Sequence, residues 1–146
     1  MAELSVLQAG PVLTCRTETV DLPELGGAVV VRGLLASELF AVSVYRDQAL
    51  RRLHEAQAQH ARLVAATADG LAPDFVAPQM SFDELRAYGL YVSHMLAASV
   101  TVANGLGMYT ADQWEICGQQ YHGVIDRLQS VVERLSGMNL EDVRKN

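Results

Sequence analysis

The feature that most restricts how this chain can fold is a long segment without charged side chains. From Ala87 to Ala111 the sequence contains no Asp, Glu, Lys or Arg, and about 20 apolar residues are enough for a helix to cross a bilayer. Polar residues interrupt the segment, and its flanks, Arg86 and Asp112, lack the cationic excess expected on one side of a membrane helix. We therefore interpret it as a helix that is buried on most sides or used as an interface, and we expect no membrane association.

The composition is that of a folded protein rather than a disordered one. Half of the 146 residues are hydrophobic, which allows a single globular domain with its own core. Cys15 and Cys117 are far apart in sequence and belong to no C-x-x-C pair, a usage typical of a reducing compartment. The first residues include neither a basic region nor a long apolar run, so we read no signal peptide and expect a soluble, intracellular protein.

The first part of the chain predicts a β-hairpin. Residues 1–13 show no clear period and are interpreted as a loose N-terminal arm. Within residues 14–34, an alternating segment at 16–22 and a valine-rich run at 28–32 flank a Pro- and Gly-containing turn, which is typical of two short antiparallel strands. An isolated hairpin is only marginally stable in water, so this one must pack on other elements.

The remaining residues, 35–146, predict a helical domain of about three helices. The first helix is expected over residues 39–66. A capping box that starts at Ser81 marks the beginning of the second helix, and this helix is expected to run to about Ala103. The third helix follows another capping box, which starts at Thr110. One continuous apolar stripe runs along the third helix to Leu135, and residues 139–142 could add a short turn. The predicted fold class is therefore mainly α, with a small N-terminal β-hairpin, in a single globular domain.

No pattern in the sequence predicts catalytic chemistry. None of the four histidines stands in a metal-ligand spacing, so a solvated or hydrogen-bonded core histidine is the expected role for each. The Gly105-Leu106-Gly107 fragment follows a helix and lacks a third glycine, so a helix-ending turn explains it better than a dinucleotide site. We expect no enzyme, and we assign no catalytic, cofactor-binding or metal-binding residue.

The charge distribution disfavours nucleic acid as a partner. The net charge is −6 and the region of the second and third helices is acidic, whereas phosphate binding needs a basic surface. The first helix is locally basic, with Arg51 and Arg62 on one face. That face is either an ordinary solvated surface or a contact with an acidic partner.

The second helix has apolar residues around most of its circumference. Either the rest of the fold covers this surface or a partner protein does. Tyrosine and methionine adapt well to contact surfaces. The core or interface is predicted to centre on Leu85, Val92, Trp114, Tyr121 and Leu128. The candidate partner-binding residues are Tyr88, Tyr91, Met95, Trp114 and Tyr121. Tyr91 and Met95 can contact a partner only if they face outward.

Two stretches resemble a known family. Residues 20–34, VDLPELGGAVVVRGL, are similar to the N-terminal hairpin of tail assembly chaperones from long-tailed bacteriophages, in which a turn of the form V-x-L-P-E-x-G-G leads to a strand and then a helix. Residues 135–143, LSGMNLEDV, together with Lys145 and Asn146, are similar to the family's C-terminal ending. The order of elements agrees as well, whereas residues 56–79 show no match.

The resemblance implies a function. Such chaperones bind the tape measure protein, a long apolar helical chain, keep it soluble and help to recruit tail tube subunits. They work in the host cytoplasm and are absent from the mature virion, and coating a long chain implies self-association. The alternative is a small structural virion protein, such as a neck or tail completion subunit. The family also makes a frameshifted longer product, for which codons at Lys145 and Asn146 could supply the slippery site, unless this dipeptide is simply a solvated chain end.

Overall fold

The computed structural model describes residues 16–67 and 70–137, and it is mainly helical with an N-terminal β-hairpin, as predicted. The arm at 1–13, the turn at 139–142 and the Lys145-Asn146 dipeptide lie outside the described residues. The elements are β1 (Thr17–Leu22), β2 (Gly27–Arg32), α1 (Ala36–Ala66), α2 (Phe82–Ser99), β3 (Val100–Thr101), α3 (Ala111–Gln120) and α4 (His122–Leu135).

The hairpin forms where the alternating residues predict it. A 3-10 turn at Pro23–Leu25 joins the strands, and Gly26 ends that turn with φ of 83°, a left-handed conformation that glycine adopts without steric cost. The strands pair antiparallel with Thr17 opposite Arg32. One face of the hairpin is buried and packs against α4; its apolar residues are Val20, Leu22, Val29 and Val31.

The sheet has a third strand that the sequence pattern did not disclose. The helix predicted to reach Ala103 ends at Ser99, and Val100 and Thr101 pair with Val31 and Val30 of β2. β-branched residues lose side-chain freedom in a helix and fit a pleated sheet, which favours the extended form at this junction. Val100 is fully buried, so the end of α2 is anchored directly to the hairpin.

Helix α1 lies alongside α2 and extends well beyond it. At 31 residues against 18, α1 is about 46 Å long and α2 about 27 Å. Arg52 donates to the Glu84 carboxylate in the first turn of α2 and to the Gln79 carbonyl oxygen at 2.8 Å. The part of α1 after Arg52 therefore runs past the start of α2, where the following loop contacts it through His60 and the Pro73 carbonyl oxygen, 2.8 Å apart.

The predicted third helix is two helices. Helix α3 ends at Gln120, and Tyr121 has φ of −130° and ψ of 58° before α4 begins. The apolar spacing continues unchanged across this break, which is why periodicity alone predicted one helix. Gly118 and Ile125 lie near each other across the bend, and a Cβ on Gly118 would be at an ordinary contact distance of 3.4 Å from the Ile125 side chain.

The core lies between the buried face of the hairpin and the helices packed on it. Helix α4 contributes Val124, Leu128 and Val132, and ion pairs from Arg127 to Glu24 and from Arg134 to Glu18 tie it to the hairpin. The residues of the core cluster are Val20, Leu22, Val29, Val31, Val42, Tyr91, Val92, Met95, Leu96, Val100, Trp114, Cys117, Val124, Leu128 and Val132. Among the described residues, no helix has the length and apolar content needed to cross a membrane.

Candidate partner-binding surfaces

Three of the five candidate partner-binding residues are buried inside this chain. The exposed fractions of Tyr91, Met95 and Trp114 are 2%, 0% and 1%. Tyr91 and Met95 therefore do not meet the condition that they face outward. The physical reason is that α1 covers one side of α2 while α3 and α4 cover the others, so the chain itself buries the apolar circumference of this helix.

Tyr91 shows how the buried part of α2 is held. Its hydroxyl donates to the Glu133 carboxylate of α4 at 3.2 Å, and the Arg46 guanidinium lies 6.0 Å from its ring centre. Burial, followed by the nearby Glu133 charge, raises the pKa of the Tyr91 hydroxyl well above its ordinary value. The hydroxyl therefore stays protonated and serves as a fixed hydrogen-bond donor between α2 and α4.

Tyr88, the fourth candidate, lines an open groove between α2, α3 and α4. The groove has a volume of about 380 Å³. Its wall at Tyr88 is fixed by Gln129, whose side-chain nitrogen donates to the Tyr88 hydroxyl at 2.8 Å and to Glu133 at 2.9 Å. The apolar residues that line the groove are Val92, Leu96, Trp114 and Ile125. An apolar floor with polar walls is the usual form of a site that accepts a helix or an apolar chain segment.

The groove is acidic at its margin and has an unused donor in its lining. Glu115 and Asp126 both line it, and the Asp126 carboxylate is 3.2 Å from His122. The Trp114 indole nitrogen is buried without a hydrogen-bond partner in the described part of the chain. A buried donor that lacks a partner costs stability, and this nitrogen is enclosed by the chain itself.

Tyr121, the fifth candidate, lies at the bend between α3 and α4 and is 37% exposed. It lines a second, smaller groove of about 240 Å³ together with Leu25 of the hairpin turn and the exposed Ile116. Cys117 also lines this groove, and burial raises the pKa of its thiol. Sequence spacing placed Tyr121 on the same stripe as Trp114, but the bend turns it toward the surface.

A further set of exposed apolar side chains, in and near the second half of α1, was not predicted as a group. The exposed side chains there come from α1, from the loop after it and from the first turn of α2, and the Phe75 ring contacts the His60 ring at 5.5 Å between centres. The exposed apolar residues are Leu63, Val64, Leu71, Phe75, Val76, Phe82 and Leu85. We call this set the distal apolar surface. Leu85, which was predicted to belong to the core or to an interface, is exposed in the first turn of α2 and is therefore not a core residue.

The distal apolar surface could have been suspected from one signal. Phe75 and Val76 stand between Pro73 and Pro78 in a loop, where apolar residues have no helix or strand period to explain them. Their exposure, 36% and 82%, shows that the loop does not bury them in the core. In residues 16–67 and 70–137 no three His, Cys, Asp or Glu side chains lie close enough together to hold a metal ion.

Comparison with known proteins identifies the fold. No protein-family profile and no curated protein matches the chain. Among solved structures, the fold is similar to that of a phage tail assembly chaperone. That structure is the bacteriophage HK97 tail assembly chaperone, which is 14% identical, aligns with 92% of this chain and 98% of its own, and gives a TM-score of 0.51. The resemblance found in the hairpin and C-terminal motifs is confirmed at the level of the fold.

Proposed function

We propose that this chain is a bacteriophage tail assembly chaperone that binds the tape measure protein, keeps it soluble and helps to recruit tail tube subunits. The observation that carries the proposal is the fold similarity to the HK97 tail assembly chaperone over nearly the full length of both chains. We further propose that the protein acts in the host cytoplasm, that it is absent from the mature virion and that it has no enzymatic activity.

The geometry supports a binding role of this kind. The described residues present an apolar groove between three helices and a separate distal apolar surface, and large exposed apolar patches mark interaction sites. A helix with an apolar stripe is the kind of partner segment that we expect at these surfaces, because a helix binds a groove through a stripe of residues on one face. Two separated surfaces also allow one copy to contact more than one segment of a long chain.

Co-expression tests the proposal. The chain is produced with the long helical reading frame that neighbours its gene, and the soluble fraction of that long protein is measured with and without the chain. We expect the long protein to be soluble only in the presence of the chain. Equal solubility in both cultures would contradict the proposal.

Purified particles separate the proposal from the structural alternative. Mass spectrometry should detect no stoichiometric amount of this chain in mature virions. Detection at the level of a neck or tail completion subunit would instead favour a structural virion protein.

A further inference from the structure

We propose that the outer edge of β1 pairs with the same edge of a second copy, so that two three-stranded sheets join antiparallel across a twofold axis at Thr19. Strand β1 lies at the edge of the sheet, whose order is β1-β2-β3. An edge strand with open backbone groups is a template for pairing with another strand. The proposal concerns self-association only and does not depend on binding of a tape measure protein.

The hydrogen-bond pattern shows which backbone groups point outward. The Gly33 amide donates to the Arg16 carbonyl oxygen at 3.0 Å, so Arg16 and Gly33 occupy a hydrogen-bonded position of the ladder. Hydrogen-bonded pairs recur at every second residue of an antiparallel ladder. The residues of β1 whose backbone groups point toward β2 are therefore those at even spacing from Arg16. The residues whose N–H and C=O groups face away from β2 are therefore Thr17, Thr19 and Asp21.

The pattern on β3 agrees with this assignment. The Val102 amide donates to the Leu106 carbonyl oxygen on the outer side of β3, which leaves the backbone groups of Thr101 directed at Val30 of β2. The backbone N–H and C=O of Val30 point toward β3, so they do not bond to Thr19, the residue opposite Val30 on β1. The backbone N–H and C=O of Thr19 therefore point away from β2. Two independent parts of the sheet therefore give the same direction for Thr19.

The residues that carry the outward groups lie at the surface of the described structure. Thr17, Thr19 and Asp21 are all exposed. Among the described residues, one contact reaches this edge, in which Arg127 donates to the Asp21 carbonyl oxygen at 3.2 Å. A carbonyl oxygen has two lone pairs, so this contact leaves room for a second donor.

The side chains of β1 fit a second copy of the same strand in one register. With Thr19 on the twofold axis, Thr17 lies opposite the partner's Asp21, and Glu18 lies opposite the partner's Val20. No like charges are directly opposed, and threonine pairs are favourable across strands. Glu18 is also bound by Arg134 of its own chain, which neutralises the remaining acidic group near the seam.

Thr19→Pro is the sharpest test, because it removes one outward N–H at the centre of the seam and leaves the bonds to β2 in place. Proline is tolerated at edge positions whose N–H faces solvent. Thr19→Val is the matched control, since it keeps the N–H. By sedimentation equilibrium of the full chain, we expect wild type and Thr19→Val to associate, and Thr19→Pro to weaken that association at least about tenfold with an unchanged circular dichroism spectrum.

A charge exchange tests the register independently, in case the proline variant fails to fold. Thr17→Glu places a carboxylate opposite the partner's Asp21 twice in each dimer and should weaken association roughly tenfold. Adding Asp21→Lys to this variant should restore it. A monomeric wild-type chain would overturn the proposal, as would Thr17→Glu without effect or without rescue by Asp21→Lys. If the chain's own residues 1–15 cover the edge instead, the Thr19 amide will be protected from hydrogen exchange in a monomer.

Discussion

Gly33, just after β2, lies directly against Leu135 at the end of α4, so closely that a Cβ on Gly33 would be 2.6 Å from the Leu135 carbonyl oxygen. The next residue continues the contact, since the Leu34 amide donates to the Ser136 hydroxyl at 2.9 Å, across 102 positions of sequence. The end of the first stretch that carries the family resemblance therefore contacts the start of the second, at Leu135 and Ser136.

This contact predicts the effect of adding a methyl group at Gly33. Gly33→Ala forces the β2–α1 junction and the end of α4 apart and should lower the free energy of unfolding by about 1–3 kcal/mol. Gly27→Ala is the control, because nothing lies within 4 Å of a Cβ there. Urea unfolding measures both. Equal stability of the two variants would show that the Gly33–Leu135 contact is absent in solution.

Trp114 is predicted to act as a core residue and not as a surface anchor. It is fully buried and its ring packs edge-to-face on Tyr109 with centres 5.0 Å apart. Trp114→Ala should cost about 3–5 kcal/mol of stability. Ile116→Ala, two residues away and 59% exposed, should change stability by no more than about 0.5 kcal/mol. A small loss at Trp114 with impaired partner binding would restore the anchor interpretation.

The distal apolar surface is predicted to contribute to binding of the tape measure protein. Phe82 and Val76 are 78% and 82% exposed, so Phe82→Asp and Val76→Asp should leave helicity unchanged. They should lower the yield of soluble tape measure protein in co-expression, because a charge opposes burial of an apolar contact. Gln57→Asp, at an exposed position of α1, controls for the added charge. The same yield for all three variants would exclude this surface.

Glu84 is predicted to titrate far below an ordinary glutamate. Hydrogen bonds from Arg52, and then from the Ser81 backbone amide, lower the pKa of Glu84 from 4.5 to about 2. Because the pKa of Glu84 is lower in the folded than in the unfolded protein, the ionised carboxylate stabilises the fold at any pH above the unfolded-state pKa of about 4.5. This stabilisation is lost as the pH falls from about 4.5 toward 2. Carbon-13 NMR of the carboxyl group measures the pKa directly. Arg52→Gln should move it back toward 4.5, and an unchanged value would show that the α1–α2 clamp is not formed.

Local signals in the sequence predicted much of the fold. The capping boxes at Ser81 and Thr110 start α2 and α3 where expected, because their side-chain oxygens accept from the Glu84 and Gln113 amides. The break at Tyr121 was missed because a stripe with three- and four-residue spacing continues through it. Val100 and Thr101 were assigned to a helix because strand pairing with residues about 70 positions away leaves no local period.

The binding surfaces were harder to predict than the fold. A helix that is apolar all round, as α2 is at Tyr91 and Met95, has the same sequence pattern whether its own chain or a partner covers it. The distinction depends on the long-range packing of α1 and α4, which no local window contains. The exposed residues around Phe75 lie in a loop, where hydrophobic spacing carries no information about burial.

The part of α1 that extends past the start of α2 should unfold locally at a much lower free energy than the part before Arg52. Before Arg52 the helix includes the buried Val42 and Ala49, so its amide protons should exchange only when the whole domain opens. Among the described residues, the roughly four turns after Arg52 are contacted by the loop that follows α1, and local fraying there leaves the core intact. The far end of α1 can therefore change shape locally while the three-stranded sheet and the helices packed on it stay folded.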